Sequence, residues 1–374
     1  MKKAKIMSVF GTRPEAIKMA PLVLELMHRE ELTSIVCVTA QHREMLDGVM
    51  ESFGLRADYD LNISEGSRDL FEQTANTITA LKDCFIKEKP QLVLVHGDTV
   101  SAFSAALAAF YAGIPVGHVE AGLRTYNNQS PYPEEANRAM ISRIASLHFA
   151  PTEENAENLR REGVSGEIFV TGNTVIDAMR LSSGRTRFLS PELNAIDLDR
   201  RIVTLTCHRR ENYGEPMRNI FEAVKKLAES EPELTIVYPV HPAPAVRECA
   251  NEILSGVPNV VLLPPLDVFD MRLLIGKSLF VMTDSGGLQE EAPALGKPVL
   301  LLRRETERPE AIKAGTVRLC GTKCEDIFAA ASELIHSPEA YAKMSNAENP
   351  YGDGSAAKYI ADIIVEKMNS PARP

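Results

Sequence analysis

The 374-residue sequence has no apolar run long enough to cross a membrane or to serve as the hydrophobic part of a signal peptide. Its basic start, MKKAK, passes directly into a stretch with strand character. We therefore expect a cytoplasmic protein without a membrane span.

The sequence also has no excess of positive charge, since its formal net charge is −10. Nucleic acids and acidic membrane surfaces attract clustered lysine and arginine, so neither is expected as the main partner. A small anionic ligand remains compatible with this composition, because local basic residues decide its binding.

Cysteine pairs of the CxxC type are absent, and most of the cysteines lie in apolar runs. This pattern indicates unpaired thiols in a reducing cytosol. The six cysteines are Cys37, Cys84, Cys207, Cys249, Cys320 and Cys324.

Two nucleotide-binding fingerprints are missing as well. No GxGxxG follows a predicted strand, and GxxxxGK[ST] is not satisfied, because Gly11 is followed six positions later by Ile17 and Lys18. Neither a dinucleotide-binding site of that type nor a P-loop ATPase is therefore predicted.

The feature that is present is a regular alternation of short apolar strands with helical patterns. Buried strands that alternate with helices predict parallel sheets covered on both faces, and hence an α/β fold of two doubly wound units. Strands are predicted at residues 5–10, 34–39, 91–96, 115–119, 147–150 and 167–171, and again at 202–206, 234–238, 260–263, 279–283, 298–302 and 317–319.

The alternation lapses between residues 181 and 200, which we interpret as an inter-domain connection. We expect an N-terminal domain over residues 1–180 and a C-terminal domain over residues 181–354. A final helix within residues 355–374 carries Ile360, Ile363, Ile364 and Met368 on one face. That apolar face must pack on another element, and we expect it to pack back on the N-terminal domain.

The hexapeptide RPEAIK occurs twice, at residues 13–18 and 308–313, each time shortly after a predicted strand. Proline suits the first helical position, so Arg13 and Arg308 are predicted at helix entrances. Helix N-termini at the ligand edge of an α/β sheet favour anions, and arginine adds donors for phosphate or carboxylate. Lys18 and Lys313 follow about one turn later. A plain helix start is the alternative interpretation.

A second candidate anion site is the stretch TDSGGLQEE, where a predicted strand ends. Ser285 is a good helix cap, and Gly286 and Gly287 let a ligand approach the backbone. Glu291 lies one turn into the predicted helix, where a carboxylate can bind sugar hydroxyls. A capped helix without a ligand is the alternative.

Three carboxylates are candidates for proton transfer: Asp98 in VHGDT, Glu120 in HVEAGLR and Glu134 in SPYPEEANR. Asp98 and Glu120 each follow a buried strand within two residues, where partial burial can raise a carboxyl pKa toward neutrality. His208, in TCHRREN, also follows a predicted strand directly.

A metal site is the competing interpretation of the pairs His96 with Asp98 and His118 with Glu120. No HExxH motif or clustered His/Cys set accompanies them, which favours histidines with structural roles. His241, in VYPVHPAP, is similarly ambiguous.

Taken together, these motifs resemble the non-hydrolysing UDP-N-acetylglucosamine (UDP-GlcNAc) 2-epimerases of bacteria. The resemblance covers nearly the whole chain, and so many motifs in one order are highly specific. They are GTRPEAIKMAP, TAQHREMLD, VHGDT, GHVEAGLR, PEEANR, TGNTVIDA, HRREN, TDSGGLQEEAP and TERPEA.

The resemblance implies two Rossmann-like domains facing a central cleft, the glycosyltransferase-B architecture. It implies interconversion of UDP-GlcNAc and UDP-N-acetylmannosamine (UDP-ManNAc) through elimination of UDP, which supplies ManNAc for cell-surface polysaccharides. It also implies a cytoplasmic homodimer that needs no metal and no redox cofactor.

Site residues follow from the same resemblance. The family's catalytic residues correspond to Asp98, Glu120 and Glu134, with His208 near the diphosphate. Contacts to the UDP-sugar correspond to Arg13, Lys18, Met271, Ser285, Gly286, Gly287, Glu291 and Arg308. No function is implied for Lys313.

Many bacterial members bind a second UDP-GlcNAc as an allosteric activator, and Gln41, His42, Glu134 and Arg209 match positions of that site. Two positions depart from the family pattern. Glu44 stands where some members have glutamine, so the resemblance does not by itself imply that activation is retained. Met271 stands where an aromatic residue is expected near the uracil.

Three other functions compete with this interpretation. A glycosyltransferase of the same architecture would use the same UDP contacts and require an acceptor. A hydrolysing epimerase would release free ManNAc, and members of that class often carry a fused kinase domain for which this chain has no room. A nucleotide-sugar sensor would leave the three carboxylates without a purpose.

Overall fold

Two parallel β-sheets organise the part of the chain that the computed structural model describes, which is residues 3–39, 43–63, 67, 69–129, 131–181, 187–197 and 200–369. The described residues divide by packing into two units. The first runs to Arg180 and takes up the chain again from Tyr351, and the second is Leu181–Pro350.

In the first unit a seven-stranded sheet has the order β3-β2-β1-β4-β5-β6-β7, and every neighbouring pair is parallel. Its strands are β1 (Ala4–Phe10), β2 (Leu32–Val38), β3 (Tyr59–Asp60), β4 (Leu92–His96), β5 (Val116–Val119), β6 (Leu147–Ala150) and β7 (Glu167–Val170). Its helices are α1 (Arg13–Met27), α2 (Arg43–Ser52), α3 (Leu70–Glu88), α4 (Val100–Tyr111), α5 (Glu134–Ile144), α6 (Glu153–Glu162), α7 (Thr174–Leu181) and α16 (Ala356–Asn369).

The order of the first sheet places a topological switch between β1 and β4. The chain winds outward from β1 through β2 to β3 and then returns to build β4–β7 on the other side of β1. Helices that leave the two sides of such a point diverge, so their N-termini and the strand ends form a crevice at the carboxyl edge. The loops after β1, β4 and β5 begin at this edge and carry the candidate residues of this unit.

The second unit repeats the pattern in a six-stranded parallel sheet of order β10-β9-β8-β11-β12-β13. Its strands are β8 (Arg201–Thr206), β9 (Leu234–Pro239), β10 (Val260–Leu263), β11 (Ser278–Thr283), β12 (Val299–Leu301) and β13 (Val317–Leu319). Its helices are α8 (Pro191–Asn194), α9 (Glu215–Ser230), α10 (Pro244–Leu254), α11 (Val268–Lys277), α12 (Leu288–Ala294), α13 (Pro309–Ala314), α14 (Cys324–His336), α15 (Pro338–Ser345) and a short 3₁₀ turn, Arg210–Asn212.

The α/β fold class predicted from the alternation is confirmed, and each predicted strand is present within one or two residues of its predicted bounds. The strand that sequence reasoning missed is β3, which has only two residues and pairs with β2 at the sheet edge. So short an edge strand carries no apolar run. Among the described residues no helix combines the length and the hydropathy needed to cross a bilayer.

The stretch that we interpreted as a connection is, where the structure describes it, packed against the second unit. Phe188 and Leu193 are buried in a cluster with Ile202 and Leu274. The carboxylate of Asp270 accepts hydrogen bonds from the backbone N–H groups of residues 189 and 190, at 3.0 and 2.7 Å. Residues 187–197 therefore contribute to the core of the second unit.

The last helix, α16, packs on α1 in the first unit. Ile360 and Ile364 are fully buried, while Ile363 and Met368 of the expected apolar face are half-buried. Asp177 accepts the backbone N–H groups of Ala356 and Ala357 at 3.2 and 2.9 Å, which are orphan donors of the first turn of α16. Burial raises the pKa of Asp177 to about 6, against the lowering effect of these hydrogen bonds.

Candidate active site

The first RPEAIK copy begins α1 through a capping box. Thr12 is the N-cap, and the Glu15 carboxylate accepts the backbone N–H groups of Gly11 and Thr12 at 3.1 and 2.8 Å. Its other oxygen accepts the hydroxyl of Thr99, the N-cap of α4, at 2.8 Å. Burial raises the pKa of Glu15, although these three hydrogen bonds and a fourth from the Thr12 hydroxyl lower it. The glutamate thus ties two helix starts together, while Arg13 beside it is exposed.

Glu120 lies directly after β5 in a left-handed backbone conformation, with φ of 61°. Such a conformation costs a residue with a Cβ about 1–2 kcal/mol, so its surroundings must hold it there. The Lys18 ammonium forms an ion pair with its carboxylate. The Asn173 side-chain amide donates to the same oxygen, Oε2, at 2.8 Å, and His96 Nε2 lies 3.7 Å away. A backbone outlier held by convergent polar groups is typical of a functional residue.

Asp98 lies two residues after β4, beyond Gly97, whose φ of 62° makes the turn. The Arg138 guanidinium donates to the Asp98 carboxylate, and the Asn137 side chain donates to the Asp98 carbonyl oxygen at 2.9 Å. Burial raises the pKa of Asp98, the Arg138 charge opposes that rise, and the nearby Glu120 charge adds to it. The two predicted acid–base residues are therefore close enough to influence each other.

Glu134 is the first residue of α5, four residues before Arg138, so the two lie on one face of the helix. Its side chain is half-buried. The next residue, Glu135, has a different task. Its carboxylate accepts the backbone N–H groups of Thr125 and Tyr126 at 3.0 and 2.8 Å and pairs with Arg138 at 3.1 Å. Sequence reasoning selected Glu134 and predicted no role for Glu135.

His118, one of the residues in the alternative metal interpretation, has a structural contact. His118 is buried, and its Nε2 donates to the carbonyl oxygen of Gly97 at 2.7 Å. Burial lowers the pKa of His118 to about 3, so the ring is neutral and braces the turn before Asp98. Within the ranges that the structure describes, no three His, Cys, Asp or Glu residues are grouped as a metal site.

In the second unit, the loop between β11 and α12 carries the glycine pair. The prediction that Ser285 caps the helix is wrong. The helix begins at Leu288 with Gly287 in the N-cap position and no side-chain cap. The backbone N–H of Ser285 instead donates to the hydroxyl of Thr283 at 2.9 Å, so the chain turns before the helix starts.

Gly286 allows two arginines to approach this turn. A Cβ added to it would lie 2.8 Å from Arg308 Nη1, 2.9 Å from Glu307 Oε1 and 3.3 Å from Arg209 Nη2. Arg308 also donates through Nε to Glu290 at 2.6 Å. Although burial raises the pKa of Glu307, the charges of Arg308 and Arg303 outweigh it and lower that pKa to about 2. Guanidinium groups beside an open glycine backbone are suited to phosphate oxygens.

The two RPEAIK copies both start helices, as predicted, but their side chains do different things. In the first copy Arg13 is the first helical residue, and Lys18 pairs with Glu120. In the second copy Arg308 is the N-cap, Pro309 begins α13 and Lys313 lies exposed in the last turn. The identical hexapeptide therefore starts a helix in both places, and the surrounding residues determine which contacts its arginine and lysine make.

His208 lies just beyond β8 and is organised by Asp284, which is fully buried. One Asp284 oxygen accepts the backbone N–H groups of His208 and Arg209 at 2.9 and 2.8 Å. His208 Nδ1 lies 3.5 Å from the other oxygen, and its ring stacks on His241 with centroids 5.3 Å apart. Burial lowers the pKa of His208, Asp284 opposes that change, and His241 and Arg209 reinforce it.

Glu291 lies in the first turn of α12, and its carboxylate is 3.6 Å from Arg272 Nε. Gly287 gives this carboxylate space, since a Cβ there would lie 3.5 Å from Glu291 Oε1. Met271, in α11, is half-buried beside Arg272 in the chain. Of the predicted activator residues, Gln41 and His42 lie outside the described residues, as does the side chain of Glu44.

Three residues that sequence reasoning did not select as site residues hold the selected ones in place: Arg138, Asn173 and Asp284. Each lies within a motif already recognised, respectively PEEANR, TGNTVIDA and TDSGGLQEEAP. The signal was therefore present, but the partner of each side chain is distant in the sequence. Asn173, for example, is 53 residues from Glu120.

Comparisons with known proteins agree with these motifs. A family model described as "UDP-N-acetylglucosamine 2-epimerase" matches residues 24–365. A UDP-N-acetylglucosamine 2-epimerase of Bacillus subtilis is 52% identical over 366 residues, which covers 98% of this chain and 96% of that protein. One from Neisseria meningitidis is 49% identical and covers 97% and 99%.

A crystal structure of the Neisseria meningitidis UDP-GlcNAc 2-epimerase bound to UDP-GlcNAc superposes with a TM-score of 0.90. It is 49% identical to this chain and covers 97% of it and all of the matched chain.

Proposed function

This chain belongs to the family of non-hydrolysing UDP-N-acetylglucosamine 2-epimerases and is an isomerase that acts on UDP-GlcNAc; we propose that it works by eliminating UDP and adding it back. The observation that carries the proposal is the pair of carboxylates in the first unit. Asp98 and Glu120 each follow a buried strand, each is paired with a cation, and each influences the other.

The chemistry of the sugar explains why two carboxylates are needed. The proton at C2 of GlcNAc has no adjacent carbonyl group and is not acidic. In the proposed elimination, a carboxylate removes this proton as the C1–O bond to UDP breaks, and C1 and C2 become doubly bonded. An oxygen of UDP then attacks C1 of this 2-acetamidoglucal, while a proton returns to C2 on the opposite face. Two proton carriers and cations for the departing diphosphate meet these needs.

We assign the proton transfers to Asp98, Glu120 and Glu134 as a set, without allocating the faces of C2. The pKa of Asp98, raised by burial, suits a group that must take up and release a proton during turnover. The Lys18 and Arg138 charges keep the neighbouring carboxylates from both becoming protonated.

The UDP contacts are proposed at the glycine turn of the second unit. Arg308 approaches Gly286, and His208 is oriented by Asp284 to donate to a diphosphate oxygen. We assign Glu291 to accept hydrogen bonds from hydroxyl groups of the ligand and Met271 to contact its base. Further proposed contacts are those of Arg13, Lys18, Ser285 and Gly287.

Two properties expected of the family are extended to this chain as proposals. The first is activation by a second UDP-GlcNAc bound through Gln41, His42, Glu134 and Arg209. The second is a homodimer. It is supported by large apolar side chains exposed along α3 and α4, namely Phe71, Ile86, Phe110 and Tyr111.

The product is proposed to supply ManNAc units to cell-surface polysaccharides, as the family resemblance implies.

Cleavage of the C1–O bond is directly testable with UDP-GlcNAc that carries ¹⁸O in the oxygen bridging C1 and the β-phosphorus. If UDP leaves and returns, the label moves into non-bridging positions of the β-phosphate, which shifts the ³¹P resonance. We expect this scrambling at a rate comparable to epimerisation. Epimerisation with the label retained entirely in the bridge would exclude the elimination route.

A further inference from the structure

Asn173 connects the candidate catalytic carboxylate to the part of the chain that returns from the second unit. Its side-chain amide nitrogen donates to Glu120 Oε2 at 2.8 Å. Its backbone N–H donates to the carbonyl oxygen of Tyr351 at 2.8 Å, and Tyr351 opens the segment that leads into α16. Asn173 is 2% exposed.

The orientation of the Asn173 amide is fixed from both ends. Its oxygen accepts the backbone N–H of Val175 at 3.0 Å, so the amide nitrogen is the end that faces Glu120. The preceding Gly172, with φ of 83°, lets the chain pass Tyr351 closely, since a Cβ there would lie 3.0 Å from the Tyr351 carbonyl oxygen. This local structure cannot rotate without losing several hydrogen bonds.

We propose that Asn173 is a positioning residue that holds the Glu120 carboxylate in its ionised, productive orientation and links that orientation to the docking of residues 351–357. The inference rests on the proposed function of Glu120. The amide adds a donor without a charge, so together with Lys18 it favours the anionic carboxylate. Glu120 also faces His96 Nε2, which lies 3.7 Å away, and the charge of Asp98. Asp177, four residues later, accepts the N–H groups of the first turn of α16 and so holds the other end of the same segment.

The proposal predicts an ordered change in pH dependence. Asn173→Asp keeps the size and the oxygen that accepts from Val175, but it places a negative charge against Glu120. Asn173→Ala removes the donor and adds no charge. Both changes favour protonated Glu120, and the aspartate does so more strongly, so the acidic limb of kcat/KM moves to higher pH in the order Asn, Ala, Asp.

We expect a shift of about one pH unit for Asn173→Asp, and a fall in kcat of about tenfold or more near neutral pH with KM changed less than about threefold. Asn194→Asp is the matched control. That asparagine donates to the backbone carbonyls of residues 188 and 190 in the second unit, so its replacement loses hydrogen bonds without altering the pH profile.

The experiment measures kcat/KM against pH for the full-length protein and its variants, with circular dichroism to correct for the folded fraction. An unchanged acidic limb in both Asn173 variants would overturn the proposal, even if their activity fell, because it would show a purely structural role. If Asn173→Asp does not fold, the shift for Asn173→Ala decides.

Glu120→Gln separates this inference from the proposed function. If Glu120→Gln is inactive and the Asn173 variants show the wild-type profile, only the positioning role is wrong. If Glu120→Gln keeps wild-type kcat, the proposed role of Glu120 is wrong, and the positioning role is wrong with it.

Discussion

At the scale of the residue, the Asp98 carboxyl shows how opposing neighbours set one pKa. Burial raises it, the Arg138 guanidinium lowers it, and the Glu120 charge raises it again. The balance leaves the pKa above that of an ordinary aspartate. A carboxyl in this position gains a proton at a higher pH than it would in water, which suits a residue that exchanges protons during each turnover.

The first prediction concerns Arg138. Arg138→Gln removes the positive charge, so the pKa of Asp98 should rise further and the acidic limb of kcat/KM should move to higher pH by about one unit. Arg138→Lys keeps the charge and serves as the control, with a smaller shift. The same acidic limb in all three proteins would show that ionised Asp98 is not required.

The second prediction concerns Gly286. Gly286→Ala places a Cβ against the ends of the Arg308 and Glu307 side chains, which can move without a large loss of stability. Because the displaced guanidinium belongs to the proposed diphosphate site, KM for UDP-GlcNAc should rise about tenfold or more.

Gly276→Ala is the control for this change. Gly276 lies inside α11, and the nearest atom to its added Cβ is Leu295 Cδ1 at 4.0 Å. KM for UDP-GlcNAc and the temperature of thermal unfolding are measured for both variants. An unaltered KM for Gly286→Ala would remove Gly286 from the proposed site.

At the scale of the element, periodicity and strand-end position predicted the sheets and the placement of Asp98, Glu120 and His208, because these signals are local in the chain. What the sequence could not provide was the partner of each group. Glu15 and Glu135 look like ordinary helix acids, yet one joins two helix starts and the other holds the loop at residues 125–126. The Ser285 cap failed because a local turn, in which the Thr283 hydroxyl accepts the backbone N–H of Ser285, delays the start of the helix.

The third prediction concerns the docking of α16. Asp177→Ala leaves the N–H groups of Ala356 and Ala357 without their acceptor, which should lower the free energy of unfolding by about 1–3 kcal/mol at pH 5. Asp362→Ala, at a partly exposed residue of the same helix that pairs with Lys358 and Arg29, should change it by less than about 1 kcal/mol. Urea unfolding measures both.

The same variant tests the pH dependence that Asp177 contributes. Its pKa is about 6 in the folded protein and lower in the unfolded chain, so the folded state binds more protons between about pH 4 and 6. This group therefore makes stability fall as pH rises through that window. Asp177→Ala should flatten the pH dependence there. An equally steep decline in the variant would mean that other groups cause it.

At the scale of the whole molecule, the exposed apolar residues of α3 and α4 bear on assembly. Phe110 and Tyr111 are 59% and 70% exposed, an unusual arrangement for adjacent large side chains at a protein surface. A two-fold interface would bury each of them twice, so a single substitution acts on both copies.

The fourth prediction is that Phe110→Glu weakens the proposed homodimer about 100-fold or more, because two buried aromatic side chains are lost per dimer. Sedimentation velocity across a range of concentrations measures this change. Tyr359→Glu, at another exposed aromatic residue, should leave the dimer intact. A monomeric wild-type protein would contradict the homodimer. A dimer that Phe110→Glu does not weaken would show that its interface lies elsewhere on the protein.

The most direct test of the proposed mechanism is to incubate the purified protein with UDP-GlcNAc in heavy water, without added metal or NAD, and to follow the sugar by proton NMR. Elimination and re-addition predict UDP-ManNAc with deuterium at C2. UDP-ManNAc that keeps its original C2 proton throughout would contradict proton exchange through solvent-accessible carboxylates. Free ManNAc with UDP would indicate hydrolysis, and unchanged UDP-GlcNAc would contradict epimerase activity.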